Sequence, residues 1–359
     1  MTVSEAAELT RRFSREALVK GIGEEGVRRL RSSRVAVIGC GALGSTEAEL
    51  LARSGVGFIR VVDRDVVDYT NLHRTHMVGE ADAEQGTPKA TACRDGVINI
   101  DRSIKVEAII DDVDSDNVED IIRDVDIILD GTDNMETRFL INEAAVKHDK
   151  PWVYAGVNSW YGTVMFIEPG RGACLRCLMP EGFEGRQASC DVIPAIGTVT
   201  TMVGSIAANL AVRYLAGDRP EPGVLYSIDA REGSIEKIRV ERNPQCPVCV
   251  MGRYDMLARR PALGLLTRVC GSEAFKLRLT ADAPSPEELS SRLASRFSWL
   301  ISRPNYVKVI TKEGVTVTVL GRRVVVIEGA ANEDEARKAY NEVAEAAGMP
   351  ILVDAAPRP

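Results

Sequence analysis

The sequence is poor in aromatic residues and in histidine. Phe, Trp and Tyr together make up 5% of the 359 residues, and there are three histidines, His73, His76 and His148. A core with so few aromatic side chains has to be built from Val, Ile, Leu and Ala. With so few histidines, we expect no catalytic base among them.

The chain also lacks an excess of positive charge and a long apolar run. Its formal net charge is −7, which argues against nucleic acid as the main partner because phosphate binding usually leaves a basic footprint. No apolar run approaches the roughly 20 residues of a membrane span. The first 21 residues are polar and have no apolar signal-peptide core. We therefore expect a cytoplasmic protein that binds neither nucleic acid nor membranes.

The chain is longer than the roughly 250–300 residues at which single cores stop growing. We expect a large domain at 1–250, a linker at 251–267 and a small α+β domain at 268–359. The large domain begins with an amphipathic helical segment at 5–31. Strands and helices then alternate, which predicts an α/β, Rossmann-like, mainly parallel sheet. The strands are expected at 35–38, 58–62, 105–109, 127–129 and 152–156, and the helices at 42–54, 88–100, 135–148 and 199–215.

Three further strands, expected at 161–167, 223–228 and 234–240, suggest an antiparallel extension of this sheet. The small domain is predicted from a mixture of strand and helix patterns after residue 268. Its strands are expected at 276–279, 306–311, 315–320 and 323–327, and its helices at 286–297 and 332–346. A domain of this size lies within the usual range.

Residues 35–65 contain a glycine-rich turn between a predicted strand and a predicted helix. Gly39, Gly41 and Gly44 form G-x-G-x-x-G, and Asp63 follows the second strand, where an acid that binds ribose would lie. The glycines permit a tight turn and close approach of phosphate, and the helix start offers free N–H groups. The segment predicts nucleotide binding and leaves the choice between NAD and ATP open.

The segment that follows favours a triphosphate. It carries Asn71, Arg74 and Lys89 in and after a polar loop, and Arg and Lys are suited to phosphate oxygens. Each of these residues taken alone could equally be a solvated surface side chain.

A second polar group follows the strand predicted at 127–129. Thr132, Asp133 and Asn134 lie where the carboxyl end of a parallel strand lines the ligand crevice. Asp133 could hold Mg²⁺ against phosphates. Asp133 or Asn134 could instead cap the next helix, and both functions are compatible.

Eight cysteines are present, and four of them form two C-x-x-C pairs: Cys174, Cys177, Cys246 and Cys249. In a reducing compartment, two such pairs favour a closed structural zinc site over disulfides, although they could be two unrelated reduced pairs. Cys190 lies in a polar, glycine-rich stretch just before a long helix, where the pKa of a thiol can be lowered. It could also be an ordinary small loop residue. Cys40 and Cys93 are expected to be structural, and Cys270 is left open.

Several motifs, taken in order, resemble those of the adenylyltransferases of the ubiquitin-activating-enzyme superfamily. They are GCGALG, DRD, TNLHR, TPK, GTDN and the two C-x-x-C pairs. RRFSRE near the start resembles the family's N-terminal arginine motif, and the resemblance extends over residues 8–250. It implies an ATP-binding site, with Asp63 on the ribose, Asn71, Arg74 and Lys89 on the phosphates and Asp133 on Mg²⁺. The full nucleotide-binding set would be Gly39, Gly41, Ala42, Leu43, Gly44, Asp63, Asp65, Asn71, Arg74, Lys89, Thr132, Asp133 and Asn134.

The resemblance further implies a homodimer in which Arg15 enters the partner subunit's site. It implies that Cys190, in a crossover loop at about 178–197, receives the activated modifier as a thioester. ATP and Mg²⁺ would then activate the C-terminal glycine tail of a ubiquitin-like protein. No cysteine follows Cys270, so an appended sulfurtransferase domain is not expected. By analogy, residues 268–359 would recruit a carrier (conjugating) enzyme.

Three alternatives remain at this point. The chain could adenylate a sulfur-carrier protein for molybdopterin, thiamine or tRNA thiolation. It could be an NAD-dependent oxidoreductase, which would have no use for Arg74, Lys89 or zinc. It could also be a non-catalytic subunit, which the intact set of phosphate-binding residues disfavours.

Overall fold

The computed structural model describes residues 11–180, 194–260, 264–268 and 274–352. These residues fall into two compact units. The first contains the described residues up to Arg260 except Ile110–Asp112, and the second contains the described residues after 263 together with that short segment.

The first unit is built on an eight-stranded sheet of order β3-β2-β1-β4-β5-β6-β7-β8. The first five of these strands run parallel, and β6, β7 and β8 are antiparallel to their neighbours. This confirms the predicted mainly parallel sheet with an antiparallel extension. The strands are β1 (Arg34–Ile38), β2 (Phe58–Val62), β3 (Lys105–Ile109), β4 (Ile127–Asp130), β5 (Trp152–Asn158), β6 (Tyr161–Ile167), β7 (Val224–Asp229) and β8 (Ser234–Arg239).

Helices cover both faces of the sheet. On one face, side chains of β1 such as Ala36 and Ile38 join a core with α5 and α6, and the glycine helix α2 lies over the opposite face beside Val37. The helices of this unit are α1 (Gly23–Ser32), α2 (Ala42–Arg53), α3 (Glu80–Gln85), α4 (Lys89–Ile100), α5 (Val118–Ile122), α6 (Met135–Lys147), α7 (Leu175–Leu178), α8 (Gly197–Ala216) and α9 (Asp255–Ala258).

Helix α8 is, among the described residues, the one helix long and apolar enough to cross a membrane. It packs against α2, β5 and β6, and 56% of its most apolar window is buried within the protein. Its apolar composition is therefore accounted for by its packing in the core of the first unit.

The segment expected to be helical over 5–31 is interrupted in its described part. A short 3₁₀ turn at Glu16–Leu18 is followed by α1, which begins at Gly23. Gly21 and Gly23 adopt φ values of 98° and 63° between the two. Such left-handed backbone is open to glycine at low cost, so the chain turns where the apolar periodicity alone predicts a continuous helix.

The second unit is a six-stranded antiparallel sheet of order β11-β12-β13-β14-β10-β9. Two helices pack with it around a core that includes Leu277, Leu293, Val317 and Tyr340, so the predicted α+β class is confirmed. Two short strands, β9 and β11, escaped prediction because each has too few residues to show alternation. The elements are β9 (Leu266–Arg268), β10 (Ala274–Arg278), α10 (Pro286–Leu293), β11 (Leu300–Arg303), β12 (Tyr306–Ile310), β13 (Thr316–Leu320), β14 (Val324–Glu328) and α11 (Glu333–Ala347).

Candidate nucleotide site and four-cysteine cluster

The glycine-rich turn lies where the strand order of the first sheet reverses, between β1 and β4. In open α/β sheets, ligands bind at this point, outside the carboxyl ends of the strands. A Cβ on Gly39 (φ +90°) would lie 2.5 Å from the carbonyl oxygen of Gly131, and one on Gly44 would lie 1.8 Å from the carbonyl oxygen of Gly39. These two glycines are therefore required by close backbone packing.

The position of Gly41 is different, because a Cβ there would meet no atom within 4 Å. Gly41 is the N-cap of α2, and Ala42 and Leu43 are the first residues of that helix. The N–H groups of a first helical turn have no partner within the helix. The turn therefore presents an open, donor-rich face at which a phosphate can bind.

Asp63, Asp65 and Lys89 meet at the ends of β2 and α4. Asp63 accepts hydrogen bonds from the backbone N–H groups of Cys40, at 2.6 Å, and Asp65, at 2.7 Å, so it orients the glycine turn. Lys89 Nζ lies 3.1 Å from Asp65 Oδ2, and the Lys89 N–H donates to the Asp65 carbonyl. The structure thus brings together three of the residues that the resemblance implies for the nucleotide site.

The charge of Lys89 is held by its neighbours. Burial alone would lower the pKa of the Lys89 ammonium, but the carboxylates of Asp65 and Asp63 outweigh this effect and raise its pKa above the usual range. Burial raises the pKa of Asp63, and Lys89 opposes that rise. The site therefore carries a fixed positive charge beside the glycine turn.

Asp133 follows β4 and is exposed. No hydrogen bond or ion pair joins it to the described part of the chain, and it contributes to the field that stabilises the Lys89 ammonium. Asn134 caps α6 by accepting a hydrogen bond from the Thr137 N–H at 2.8 Å. The alternative of a helix cap thus applies to Asn134, while the carboxylate of Asp133 is left available for a cation.

Two buried residues that the sequence reasoning missed hold this turn. Asp130, which is fully buried, accepts from the N–H and hydroxyl of Thr132 at 2.9 and 2.6 Å. Arg138 donates to Asp130 at 2.9 Å and to the Thr132 carbonyl at 2.6 Å. The charge of Asp130 at the end of an apolar run is a sequence signal for that residue. Arg138 lies among other polar residues of its helix and has no such signal.

Asn71 and Arg74 lie in the loop after β2. Asn71 is nearly buried and closes a capping box with Asp68, so its side chain shapes the loop. Arg74 Nη1 contacts the Thr70 carbonyl at 2.6 Å and His73 Nε2 at 2.7 Å. Arg74 is partly exposed, and both contacts hold the same nitrogen, Nη1.

A depression adjoins this loop at the start of α8. It has a volume of about 590 Å³ and is lined by His73, Ile196, Gly197, Thr198 and Thr201. The helix start packs tightly on the loop, since a Cβ on Gly197 would lie 2.5 Å from the carbonyl oxygen of His73. The depression therefore opens directly beside Arg74.

His76 joins α2 to α8 and was not singled out from the sequence. Its Nδ1 lies 2.8 Å from Glu49 on α2, and its Nε2 lies 3.0 Å from the Thr201 hydroxyl on α8. Its backbone N–H also donates to Ser45 at 2.9 Å. The histidine thus fixes one wall of the depression relative to the glycine helix.

Arg15 is not brought to this site within its own chain. Phe13 packs against Gly55, beyond the end of α2, and Arg12 pairs at 3.0 Å with Asp101, at the end of α4. The glycine turn and Lys89 lie at the opposite ends of these two helices, each of 12 residues, which corresponds to about 18 Å. Arg15 is exposed, and its guanidinium makes no hydrogen bond or ion pair with the described residues.

The four paired cysteines converge on one point. Their sulfur atoms all lie within 4.8 Å of one another, with Sγ–Sγ distances of 3.6 Å for Cys174–Cys246, 3.5 Å for Cys177–Cys249 and 3.9 Å for Cys174–Cys177. A tetrahedral zinc ion with Zn–S bonds of ~2.3 Å separates its ligands by about 3.8 Å. The cluster therefore fits a closed structural zinc site.

The function predicted for Cys190 is not tested by the structure. Cys190 and most of the predicted crossover loop at 178–197 lie outside the described residues, as does Cys270. Cys40 and Cys93 are buried, at 1% and 2% exposure, as expected for structural cysteines.

Known proteins are similar to most of this chain. A model of the ThiF family matches residues 13–248. The sulfur carrier protein ThiS adenylyltransferase of Bacillus subtilis (strain 168) is 35% identical over 272 residues, which cover 75% of this chain and 80% of that protein. The SAMP-activating enzyme E1 of Haloferax volcanii is 35% identical over 259 residues, which cover 72% of this chain and 95% of that protein.

The fold is also found in solved structures. The crystal structure of E. coli MccB with ATP is similar with a TM-score of 0.57 and 21% identity, over 63% of this chain and 69% of that one. At this identity the likeness concerns the fold. The sequence matches confirm the resemblance to the ubiquitin-activating-enzyme superfamily. The chain therefore belongs to the ThiF family and is, like these relatives, an adenylyltransferase.

Proposed function

We propose that the chain uses ATP and Mg²⁺ to adenylate the C-terminal carboxylate of a small ubiquitin-like or sulfur-carrier protein. The observation that supports this most strongly is the group of residues at the switch point. An open glycine turn, two acids, a lysine held as a cation and an exposed Asp133 lie at the ends of neighbouring parallel strands. A hydride-transfer enzyme would have no use for this lysine.

In this proposal the carboxylate of the carrier tail attacks the α-phosphate of ATP in line. A bond forms between that phosphorus and the carboxylate oxygen, and pyrophosphate leaves. Lys89 and Arg74 neutralise charge on the phosphates, and the N–H groups at the start of α2 bind phosphate oxygens. Asp63 and Asp65 bind the ribose. Mg²⁺, held by Asp133, would supply further charge neutralisation.

The depression beside Arg74 is the proposed binding region for the end of the carrier tail. It is lined mainly by small and neutral side chains of α8, together with His73. A tail ending in glycine, with no side chain of its own, could lie along this open depression and reach the phosphate. The size and position of the depression support this route.

A homodimer is proposed because Arg15 is exposed and lies away from its own glycine turn. Leu18 and Val19 beside it are 78% and 50% exposed, and apolar groups at that exposure are candidates for burial at an interface. We propose that Arg15 of each subunit completes the other subunit's phosphate site.

The fate of the adenylate distinguishes two candidates. In the first, Cys190 attacks the mixed anhydride, forming a thioester and releasing AMP. In the second, a sulfur donor at the oxidation level of sulfide attacks the mixed anhydride, AMP leaves, and the carrier tail becomes a thiocarboxylate. The Bacillus relative is named for a sulfur carrier protein, and the Haloferax relative is named as an activating E1 enzyme. In the first case, the second unit is proposed to recruit a carrier enzyme. We also propose a cytoplasmic location, because thiol-dependent chemistry of either kind suits a reducing compartment.

ATP–pyrophosphate exchange tests the proposal. We expect exchange only when a candidate carrier protein with an intact C-terminal glycine tail is added, and none with the same protein lacking its terminal glycine. Lys89→Met should reduce exchange by roughly 10²-fold, the loss typical of removing one transition-state charge contact. Exchange that does not depend on the tail would refute the proposed substrate. Deleting residues 268–359 should leave exchange intact and abolish transfer to a carrier enzyme.

A further inference from the structure

Helix α6 carries an unusual set of buried polar side chains. Arg138, Asn142 and Glu143 are 7%, 0% and 2% exposed. Asn134, Arg138 and Asn142 follow one another at intervals of four residues, so they lie along one face of the helix. Buried polar groups destabilise a fold unless they are hydrogen-bonded, so each of these side chains needs a partner.

The contacts at the start of α6 belong to the nucleotide site. Asn134 caps the helix, and Arg138 holds Asp130 and the Thr132 carbonyl. Arg138 also donates to the Ala155 carbonyl on β5 at 2.9 Å. The position of the turn that carries Asp133 is therefore tied to the position of this helix.

The contacts at the other end of α6 belong to the four-cysteine cluster. Asn142 Oδ1 accepts a hydrogen bond at 2.9 Å from the N–H of Leu175, which lies between Cys174 and Cys177. Glu143 Oε2 accepts from the N–H groups of Met256 and Leu257 at 2.7 and 3.1 Å.

These last two residues follow the second C-x-x-C pair. Arg176, inside the first pair, stacks on the ring of Phe139 from α6 at 3.6 Å. One helix thus holds the segments that carry both cysteine pairs.

We propose that α6 couples the metal cluster to the nucleotide site, and that Asn142 is the positioning residue through which this coupling acts. The inference rests on the proposed function in that the nucleotide is ATP and that Asp133 holds its Mg²⁺. Zinc held by the four cysteines fixes Leu175, which fixes the end of α6. Through Arg138 the same helix fixes the turn that presents Asp133 to the nucleotide.

Coupling between two binding sites is reciprocal. If zinc in the cluster strengthens ATP·Mg²⁺ binding, then ATP·Mg²⁺ must slow the loss of zinc by stabilising the same arrangement. Typical coupling factors begin at about fivefold. A helix that served only as packing would support both sites without making the occupancy of one depend on the other.

The experiment measures zinc release from the full-length, zinc-loaded chain with a zinc-selective chromogenic chelator, with and without saturating ATP·Mg²⁺. For the wild-type chain we expect ATP·Mg²⁺ to slow release about fivefold or more. In Asn142→Ala, which leaves the Leu175 N–H without its acceptor, release should be faster and should no longer respond to ATP·Mg²⁺. Asn142→Asp should keep the response, because Asn142 Nδ2 has no partner among the described residues and the acceptor oxygen is retained.

Arg242→Ala is the matched control. Arg242 donates to the carbonyl of Cys249 at 2.6 Å from a segment outside α6. This variant should also release zinc faster, but the ratio of rates with and without ATP·Mg²⁺ should equal that of the wild-type chain. An Asn142→Ala variant with the wild-type ratio would overturn the proposal.

The outcomes separate the coupling from the proposed function. If calorimetry shows that the wild-type chain binds ATP·Mg²⁺ but the rate of zinc release is unchanged, the coupling alone is refuted. Wild-type chain that binds no ATP·Mg²⁺ refutes the proposed function as well. If Asn142→Ala fails to fold, hydrogen exchange of the Leu175 amide in the wild-type chain decides the question: slower exchange with ATP·Mg²⁺ supports the coupling, and unchanged exchange overturns it.

Discussion

Replacing Glu47 by Gln should make the stability of the first unit less sensitive to pH. Glu47 lies on α2 behind the glycine turn, is 0% exposed, and neither carboxyl oxygen has a hydrogen-bond partner in the described structure. Burial raises its pKa well above the usual range, the charge of Asp130 raises it further, and Arg138 opposes the rise. Burial therefore favours the protonated form of Glu47 in the folded chain more than in the unfolded chain.

The sign and size of the effect follow from this difference. Because the folded pKa is raised, the contribution of Glu47 to stability is complete below its unfolded pKa of about 4.3 and is lost as the pH rises towards the folded pKa. The loss amounts to about 1.4 kcal/mol per pH unit. Glutamine is neutral over the whole pH range, so its contribution to stability does not change with pH. The stability of Glu47→Gln relative to the wild-type chain should therefore increase with pH at about that slope.

Urea unfolding followed by tryptophan fluorescence, at several pH values between about 5 and 8, measures this slope. The buried donors of the glutamine amide change the free energy of unfolding by the same amount at every pH value. The slope of the difference against pH is therefore unchanged. Glu241→Gln, at an exposed position, controls for the loss of one negative charge and should show no slope. Parallel curves for Glu47→Gln and the wild-type chain would show that Glu47 is ionised in the folded state and would refute the reasoning.

Three further outcomes are expected. Lys89→Arg should not restore the exchange activity lost in Lys89→Met, because the space beside Asp65 holds a compact ammonium; recovery to wild-type exchange would contradict this. Cys246→Ser should weaken zinc binding by more than the roughly 10–100-fold typical of losing a hydrogen-bond partner of a metal ligand. Metal analysis after competition with a chelator measures this loss, and zinc retained by the variant would exclude a four-thiolate site. Mixing equal amounts of Arg15→Ala and Lys89→Met subunits should restore exchange at about a quarter of the sites, whereas no recovery after subunit exchange would argue against a shared site.

Much of the first unit was predictable because its sequence signals are local. The apolar run before Gly39 predicts β1, and the glycine spacing predicts the turn and α2. Tertiary packing agrees with these local preferences, because the backbone around Gly39 and Gly44 leaves no room for a side chain at either position. Where glycine interrupts a regular pattern, as at Gly21 and Gly23, the periodicity of the apolar residues misses the break.

The supporting residues of the site were not predictable in the same way. Arg138 and Asn142 act through partners distant in sequence, namely the Ala155 carbonyl and the Leu175 N–H. Nothing in the local pattern distinguishes a buried arginine from an exposed one on a helix. Glu47 likewise has the sequence of an ordinary helix residue, and only the packing of α8 and the strands shows that it is enclosed.

Intact-protein mass spectrometry of the chain mixed with a candidate carrier protein, ATP and Mg²⁺, without reductant, shows whether the carrier is adenylated. The account predicts a carrier whose mass has increased by one adenylyl group. A further thiol-sensitive adduct on the enzyme, absent in Cys190→Ala, would identify the thioester route, and its absence would favour the sulfur-carrier route. A carrier that remains unmodified, although calorimetry shows that the enzyme binds ATP·Mg²⁺ and the carrier, would contradict the account.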